Sequence, residues 1–194
     1  MGKERLAAFS DGVVAIIITI MVLELRVPHG TSLADLLPVF PVFLGYVLSF
    51  VYVGIYWNNH HHMLQLARTV TGPILWANLH LLFWLSVVPF ASAWMGENRL
   101  STAPVALYGG VLIMNAIAYT ILMTMLIRHE GPESALAQAM GRDLKGKVSL
   151  AIYVAAIALA FFQPIASVGL YVLVAMIWFI PDRRVERTLK GSQA

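Results

Sequence analysis

Three groups of residues are of types that could do chemistry. Asp11 follows Ser10 and lies six residues beyond Arg5, at the start of a long apolar run. Ser10 or Asp11 could cap free N–H groups at a helix start, where a negative charge also suits the helix dipole. Asp11 could equally close an ionic latch with Arg5 or a nearby histidine, and the two roles are compatible. His60, His61 and His62 suggest a metal site, but adjacent helical residues do not share a face. Helical metal pairs usually stand four residues apart, and no carboxylate lies nearby in sequence to complete a ligand set. An interfacial helix end accounts better for the three histidines. The third group, Thr19 and Glu24, lies within and at the far end of the first apolar run. Thr19 would ordinarily bond back to its own helix, and Glu24 is close enough to the boundary to reach water. No nucleophile–base pair, HExxH, glycine-rich phosphate loop or acid dyad is present, and there are no cysteines. These features speak against an enzyme, a disulfide scaffold or a thiolate metal site.

The elements that carry these residues follow from composition. Of 194 residues, 59% are hydrophobic and only 12% charged, with a mean hydropathy of +0.77. Ordinary soluble domains are about 45–50% apolar and about 25% charged. A chain of this size could not hide so much apolar surface in water, so the reading is an integral membrane protein in a lipid bilayer. Disordered chains and nucleic-acid modules are excluded by the same figures. The first apolar run has no small-residue cleavage site and is read as a membrane helix instead of a signal peptide.

A membrane helix needs about 20 mainly apolar residues. Six stretches qualify or come close: Phe9–Leu25, Leu37–Trp57, Pro73–Met95, Pro104–Ile127, Val148–Gln163 and Ile165–Ile180. The last two are short, and Gln163-Pro164 reads as the turn between them. The expected architecture is all-α, one six-helix transmembrane domain over residues 1–194, with a short surface helix through Pro132–Gly141. Charge sets the orientation. With the N-terminus cytoplasmic, the inner segments hold eleven cations: Lys3, Arg5, Arg68, Arg128, Arg142, Lys145, Lys147, Arg183, Arg184, Arg187 and Lys190. The outer loops hold two, Arg26 and Arg99. Such a positive-inside bias places both termini in the cytoplasm. Most tryptophans and tyrosines, among them Tyr108 and Tyr171, fit an interfacial aromatic belt. Asn78, His80 and Asn115 fit hydrogen bonds between helices.

On a helical projection Gly12, Ile16, Thr19, Ile20 and Leu23 share one stripe of the first helix, with Asp11 on the other side. By itself such a stripe is more often a packing face than a conduit. The sequence Arg5-x3-Phe9-Ser10-Asp11 followed by Ala15 to Glu24, however, closely resembles the start of the transmembrane protein 175 family of potassium channels, in its bacterial single-repeat form. Ser49-Phe50, Tyr56-Trp57, His60-His61, Asn78-Leu79 and Pro89-Phe90 are similar to that family's second and third helices. The resemblance covers most of the first 90 residues by motif, and the six-span plan covers the rest.

The resemblance implies a homotetramer in the bacterial cell membrane, with no re-entrant pore loop and with helix 1 of each subunit lining one central pore. It implies passive, modestly selective conduction of K+ over Na+, with no cofactor or metal beyond the permeant ion and no nucleic-acid partner. By matching positions, Ile16, Ile20 and Leu23 would form apolar rings that narrow the pore, and Thr19 is the polar position linked to potassium preference. Arg5, Phe9, Ser10 and Asp11, with His60 or His61 as partners, would hold the helices together near the cytoplasmic end. The three ring positions fall on the stripe found independently, and Thr19 borders it. Val51-Tyr52-Val53-Gly54-Ile55-Tyr56 is no carbonyl filter, since Gly54 precedes Ile55 and the segment lies inside a full-length span. The alternatives are a small secondary transporter, which would be expected to have broken helices at the midplane, a membrane enzyme using His60–His62, and a non-conducting scaffold.

Overall fold

The computed structural model describes residues 2–140 and 143–179, and among these every regular element is helical. The helices are α1 (Lys3–Leu23), α2 (Phe40–Leu66), α3 (Gly72–Glu97), α4 (Thr102–Glu130), α5 (Ala135–Met140), α6 (Leu144–Ala160) and α7 (Pro164–Phe179). A 3-10 segment, Leu33–Val39, leads into α2, its start capped reciprocally by Ser32 and Asp35. The helices α1, α2 with its 3-10 lead-in, α3 and α4 are each long and apolar enough to cross a membrane. The apolar α7 is shorter, at 16 residues, and α6 has 17.

Boundaries differ from expectation where local chemistry outweighs hydropathy. α1 begins at Lys3, six residues before Phe9, and the Lys3 ammonium donates to the carbonyls of Gln65 and Ala67 at the end of α2. Asp11 and Ser10 therefore lie well inside the helix. Neither caps it: the cap residue is Gly2, with no side-chain bond. α2 runs on past Trp57 to Leu66, so the three histidines belong to its last two turns. α4 stops where Gly131 takes a positive φ of 95°, which glycine alone adopts without cost. α5 is shorter than expected and is no mere surface helix, since Leu136 and Ala139 are buried. α6 starts at Leu144, with Asp143 capping through its carboxylate on the Gly146 N–H. Pro164 opens α7, where its missing N–H costs nothing. Ile180, Arg142, Arg183, Arg184, Arg187 and Lys190 lie outside the described residues.

The bundle is built around α3 and α4, which pack along most of their lengths; α2 and α6 join them on either side, and α7 bridges α6 to α2. Tyr108 and Tyr171 are fully buried here and do not belong to an aromatic belt. Tyr108 shares a hydrogen bond with Ser49 at 3.0 Å, and the Tyr171 hydroxyl donates to the Val105 carbonyl at 3.1 Å. With their hydroxyls satisfied, the rings can fill core volume without stranding a polar atom in hydrocarbon. Pro89 lies inside α3. The Asn115 amide of α4 donates to the Trp84 carbonyl, five residues before Pro89, at 3.3 Å. His80 bonds within α3, accepting from the Trp84 indole at 3.0 Å, and so does not link helices as expected.

α1 sits at the edge of this bundle, against α2 and α3. Its buried residues are Leu6, Ser10, Val14, Ile17 and Met21, a single stripe at three- and four-residue spacing.

Candidate functional site

A helix packed on one stripe presents its opposite side to whatever lies beyond the subunit. On α1 that opposite side carries Gly12, Ile16, Thr19, Ile20 and Leu23, all exposed in the single subunit. Ile16 is 58% exposed, Ile20 43% and Leu23 79%. The Thr19 hydroxyl donates to the Ile16 carbonyl at 2.9 Å, the bond back to its own helix expected for an isolated threonine. Donating its proton leaves the hydroxyl oxygen's lone pairs directed away from the helix, where a cation could meet them.

Near the N-terminal end of α1, a buried polar chain ties three helices together. Ser10 donates to the Leu6 carbonyl at 2.9 Å and accepts from the Asn78 amide of α3 at 2.9 Å. The other end of that amide pairs with the His60 ring of α2 at 2.7 Å. All three side chains are buried, so each satisfies groups that water cannot reach. Ser10 and His60, both singled out in the sequence, are thus brought together, and the link between them is Asn78.

Asp11 points the other way, as the projection required. Its carboxylate accepts the Trp57 indole N–H at 2.9 Å. Among the described residues no ion pair reaches it from Arg5. Arg5 and Phe9 are both exposed in the single subunit. His61 stacks on Trp57 with ring centroids 5.9 Å apart and bonds Gln65 at 2.8 Å. His60 thus turns inward to Asn78, while the His61 ring lies between Trp57 and an edge-on His62 ring 5.8 Å away. Spacing gave no sign of Trp57 as the partner of Asp11, because a tryptophan near a span end reads equally well as a membrane anchor.

At the far end of α1, Glu24 is exposed and stands beside Glu97 of α3 at the end of a groove between the two helices. Ile16 and Ile20 line this groove on one side, Phe90 and Trp94 on the other. Arg26 pairs with Glu97 at 2.9 Å, which partly offsets the two carboxylates. A second latch closes the N-terminal side of the bundle: the Glu130 carboxylate accepts the Arg68 and Thr69 backbone N–H groups at 2.7 and 3.3 Å. Lys3, Trp57 and Glu130 join separate elements without any spacing or motif in the sequence that marks them as contacts.

Comparison with known proteins places this geometry. Residues 5–89 match the family described as endosomal/lysosomal potassium channel TMEM175. A potassium channel of Chryseobacterium sp. (strain P1-3) is 58% identical over 192 residues, which is 99% of this chain and 100% of that protein. A potassium channel of Chamaesiphon minutus is 31% identical over 89% of this chain and 91% of its own length. The crystal structure of a lysosomal potassium-selective channel TMEM175 homolog from Chamaesiphon minutus superposes with a TM-score of 0.80 at 28% identity. The match covers 92% of this chain and 96% of that one.

Proposed function

The chain belongs to the TMEM175 family, and on that premise we propose that it is a potassium channel that conducts passively along an axis lined by α1. It is a membrane-embedded, all-helical channel protein and not an enzyme, and it uses no cofactor. In the proposed assembly six helices of each subunit (α1–α4, α6 and α7) cross the bacterial cell membrane as one domain, with both termini cytoplasmic. Four subunits surround the axis. The observation that carries this reading is the uncovered stripe of α1: Ile16, Ile20 and Leu23 are exposed on a side of the helix that α2 and α3 leave open, with Ile16 and Ile20 at the edge of the groove beside α3. Four copies of an apolar stripe around an axis make a neck that gates by wetting and dewetting.

Ions would pass this neck partly hydrated. Isoleucine and leucine offer no oxygen to replace lost water, and stripping an ion bare in an apolar ring is prohibitive. Selectivity is therefore modest, with the four Thr19 oxygens as the nearby polar contacts. Ser10, Asn78 and His60 hold the inner end of α1 against α2 and α3. Asp11 with Trp57, His61 stacked on Trp57, and the exposed Arg5 and Phe9 complete the signature cluster.

The test is K+ flux into liposomes holding the purified protein, with Na+ as competitor and an Ile16→Asn variant in parallel. The expected outcome is K+ flux above Na+ flux, with larger single-channel current and weaker selectivity in the variant. Current and selectivity unchanged by Ile16→Asn would remove Ile16 from the constriction. Saturable, substrate-dependent flux would replace the channel with a transporter.

A further inference from the structure

Toward its C-terminal end α3 contains Pro89, a buried residue that also lines the groove beside α1. Proline has no N–H, so the carbonyl of Leu85, four residues earlier, loses its ordinary helical partner. Within a membrane such a carbonyl is satisfied from elsewhere, by a neighbouring helix, a side chain or an ordered water. Asn115 of α4 reaches into this break but meets the adjacent carbonyl. Its amide N–H groups donate to Trp84 at 3.3 Å and to Val111 of its own helix at 2.9 Å. Both of its hydrogens are spent, and Leu85 receives neither.

The other end of the same amide carries the inference. Asn115 is fully buried, and its Oδ1 has no hydrogen-bond partner among the described residues. An amide oxygen sealed from solvent without a donor is costly. The break at Pro89 therefore leaves two acceptors short of a donor, Asn115 Oδ1 and the Leu85 carbonyl. Neither can serve the other, because both only accept. One water molecule can serve both, since it carries two hydrogens, and buried waters sit where otherwise unsatisfied polar groups meet.

The place of this break matters to α1. Beyond Pro89, Phe90, Ala93, Trp94 and Glu97 of α3 line the groove against Ile16 and Ile20. Phe90 and Trp94 stack with ring centroids 6.4 Å apart, and Glu97 pairs with Arg26 just past the end of α1. A helix bends where its hydrogen-bond ladder lacks a rung, so this last part of α3 can move as a unit together with the end of α1.

We propose that Leu85, Pro89 and Asn115 form a hinge in α3 held by one buried water, which donates to Asn115 Oδ1 and to the Leu85 carbonyl, and that bending there moves the wall beside Ile16 and Ile20. The link to the neck rests on the pore reading above; the hinge itself does not.

The test is hydrogen–deuterium exchange of the full chain in nanodiscs, read by mass spectrometry over residues 84–93, with K+ flux measured on the same variants. Pro89→Ala supplies the missing N–H, so exchange should slow about fivefold, the worth of one net hydrogen bond. Loss of a merely packed proline would speed it instead. Asn115→Leu removes the water's second partner and strands the Leu85 carbonyl, so exchange should quicken. In the double variant the new N–H serves that carbonyl, and the effect of Asn115→Leu should be smaller than in the wild-type background. Faster exchange in Pro89→Ala, or additive effects in the double variant, would overturn the hinge. K+ flux should fall in Pro89→Ala, and full flux alongside slowed exchange would sever the hinge from the pore. A wild type without K+ flux would fail the pore reading alone, and exchange would still decide the hinge. Pro89→Ser supplies the same N–H if Pro89→Ala does not fold.

Discussion

Asn78 uses both ends of its amide, donating to Ser10 and pairing with His60, and so it fastens α1 to α2 through α3. Replacing it with leucine removes both bonds while roughly keeping the volume. Each bond between membrane helices is worth about 1–2 kcal/mol in peptide systems, and a polar group left buried without a partner costs about 1–3 kcal/mol. Asn78→Leu should therefore lower the thermal unfolding midpoint by several degrees in detergent, and an unchanged midpoint would mean that the network adds nothing to stability. Asp11 shows what residue type alone leaves open. Its carboxylate allowed a cap or an ionic latch, and it instead accepts the Trp57 indole N–H. A carboxylate takes whichever donor the packing brings within reach, and that donor lies 46 residues away in the chain.

Among the elements, a packed helix face and an open one make opposite demands, and two glycines separate them experimentally. Gly96 lies where α3 crosses the start of α2, and a Cβ there would stand 2.6 Å from the Val42 Cα. Backbone cannot rotate away as a side chain can, so Gly96→Ala must spread the two helices. Overpacking of this kind costs about 1–3 kcal/mol, readable as a lower unfolding midpoint. Gly12 lies on the exposed stripe, with nothing within 4 Å of an added Cβ. Gly12→Ala should leave the fold of the subunit intact and change conduction or assembly, because in the proposed assembly this stripe faces the other copies. Loss of subunit folding in Gly12→Ala would place that stripe inside the bundle instead of on the axis.

For the whole molecule, the proposed assembly makes a claim about topology that the absence of cysteines makes easy to test. In this background, Arg99→Cys, at the turn between α3 and α4, should react with a membrane-impermeant maleimide applied to intact cells. Gly2→Cys should react only after the membrane is opened. The reverse pattern would invert the proposed orientation. Native mass measurement on the same preparations should give four times the 21.4 kDa subunit mass. A single-subunit mass under conditions that preserve K+ flux would rule out an axis shared by four α1 helices.

Sequence alone determined the solvent and the periodicity. A 59% hydrophobic chain must place its apolar residues in lipid or core, and helices are the economical way to satisfy backbone groups there. The 3.6-residue repeat then put Gly12, Ile16, Thr19, Ile20 and Leu23 on one side of α1 whatever the fold. Hydropathy could not say which side of α1 packs, because Ile16 and Ile17 are equally apolar. Contacts from α2 and α3 bury Ile17 and leave Ile16 open. Helix ends were likewise missed where a distant group supplies the cap, as Lys3 does beyond α2 and Glu130 does before α3. Tyr108 and Tyr171 read as membrane anchors until the fold supplied partners for their hydroxyls. In each case a one-dimensional pattern fixes what a residue can tolerate, and only the neighbours brought by packing decide which tolerated role it takes.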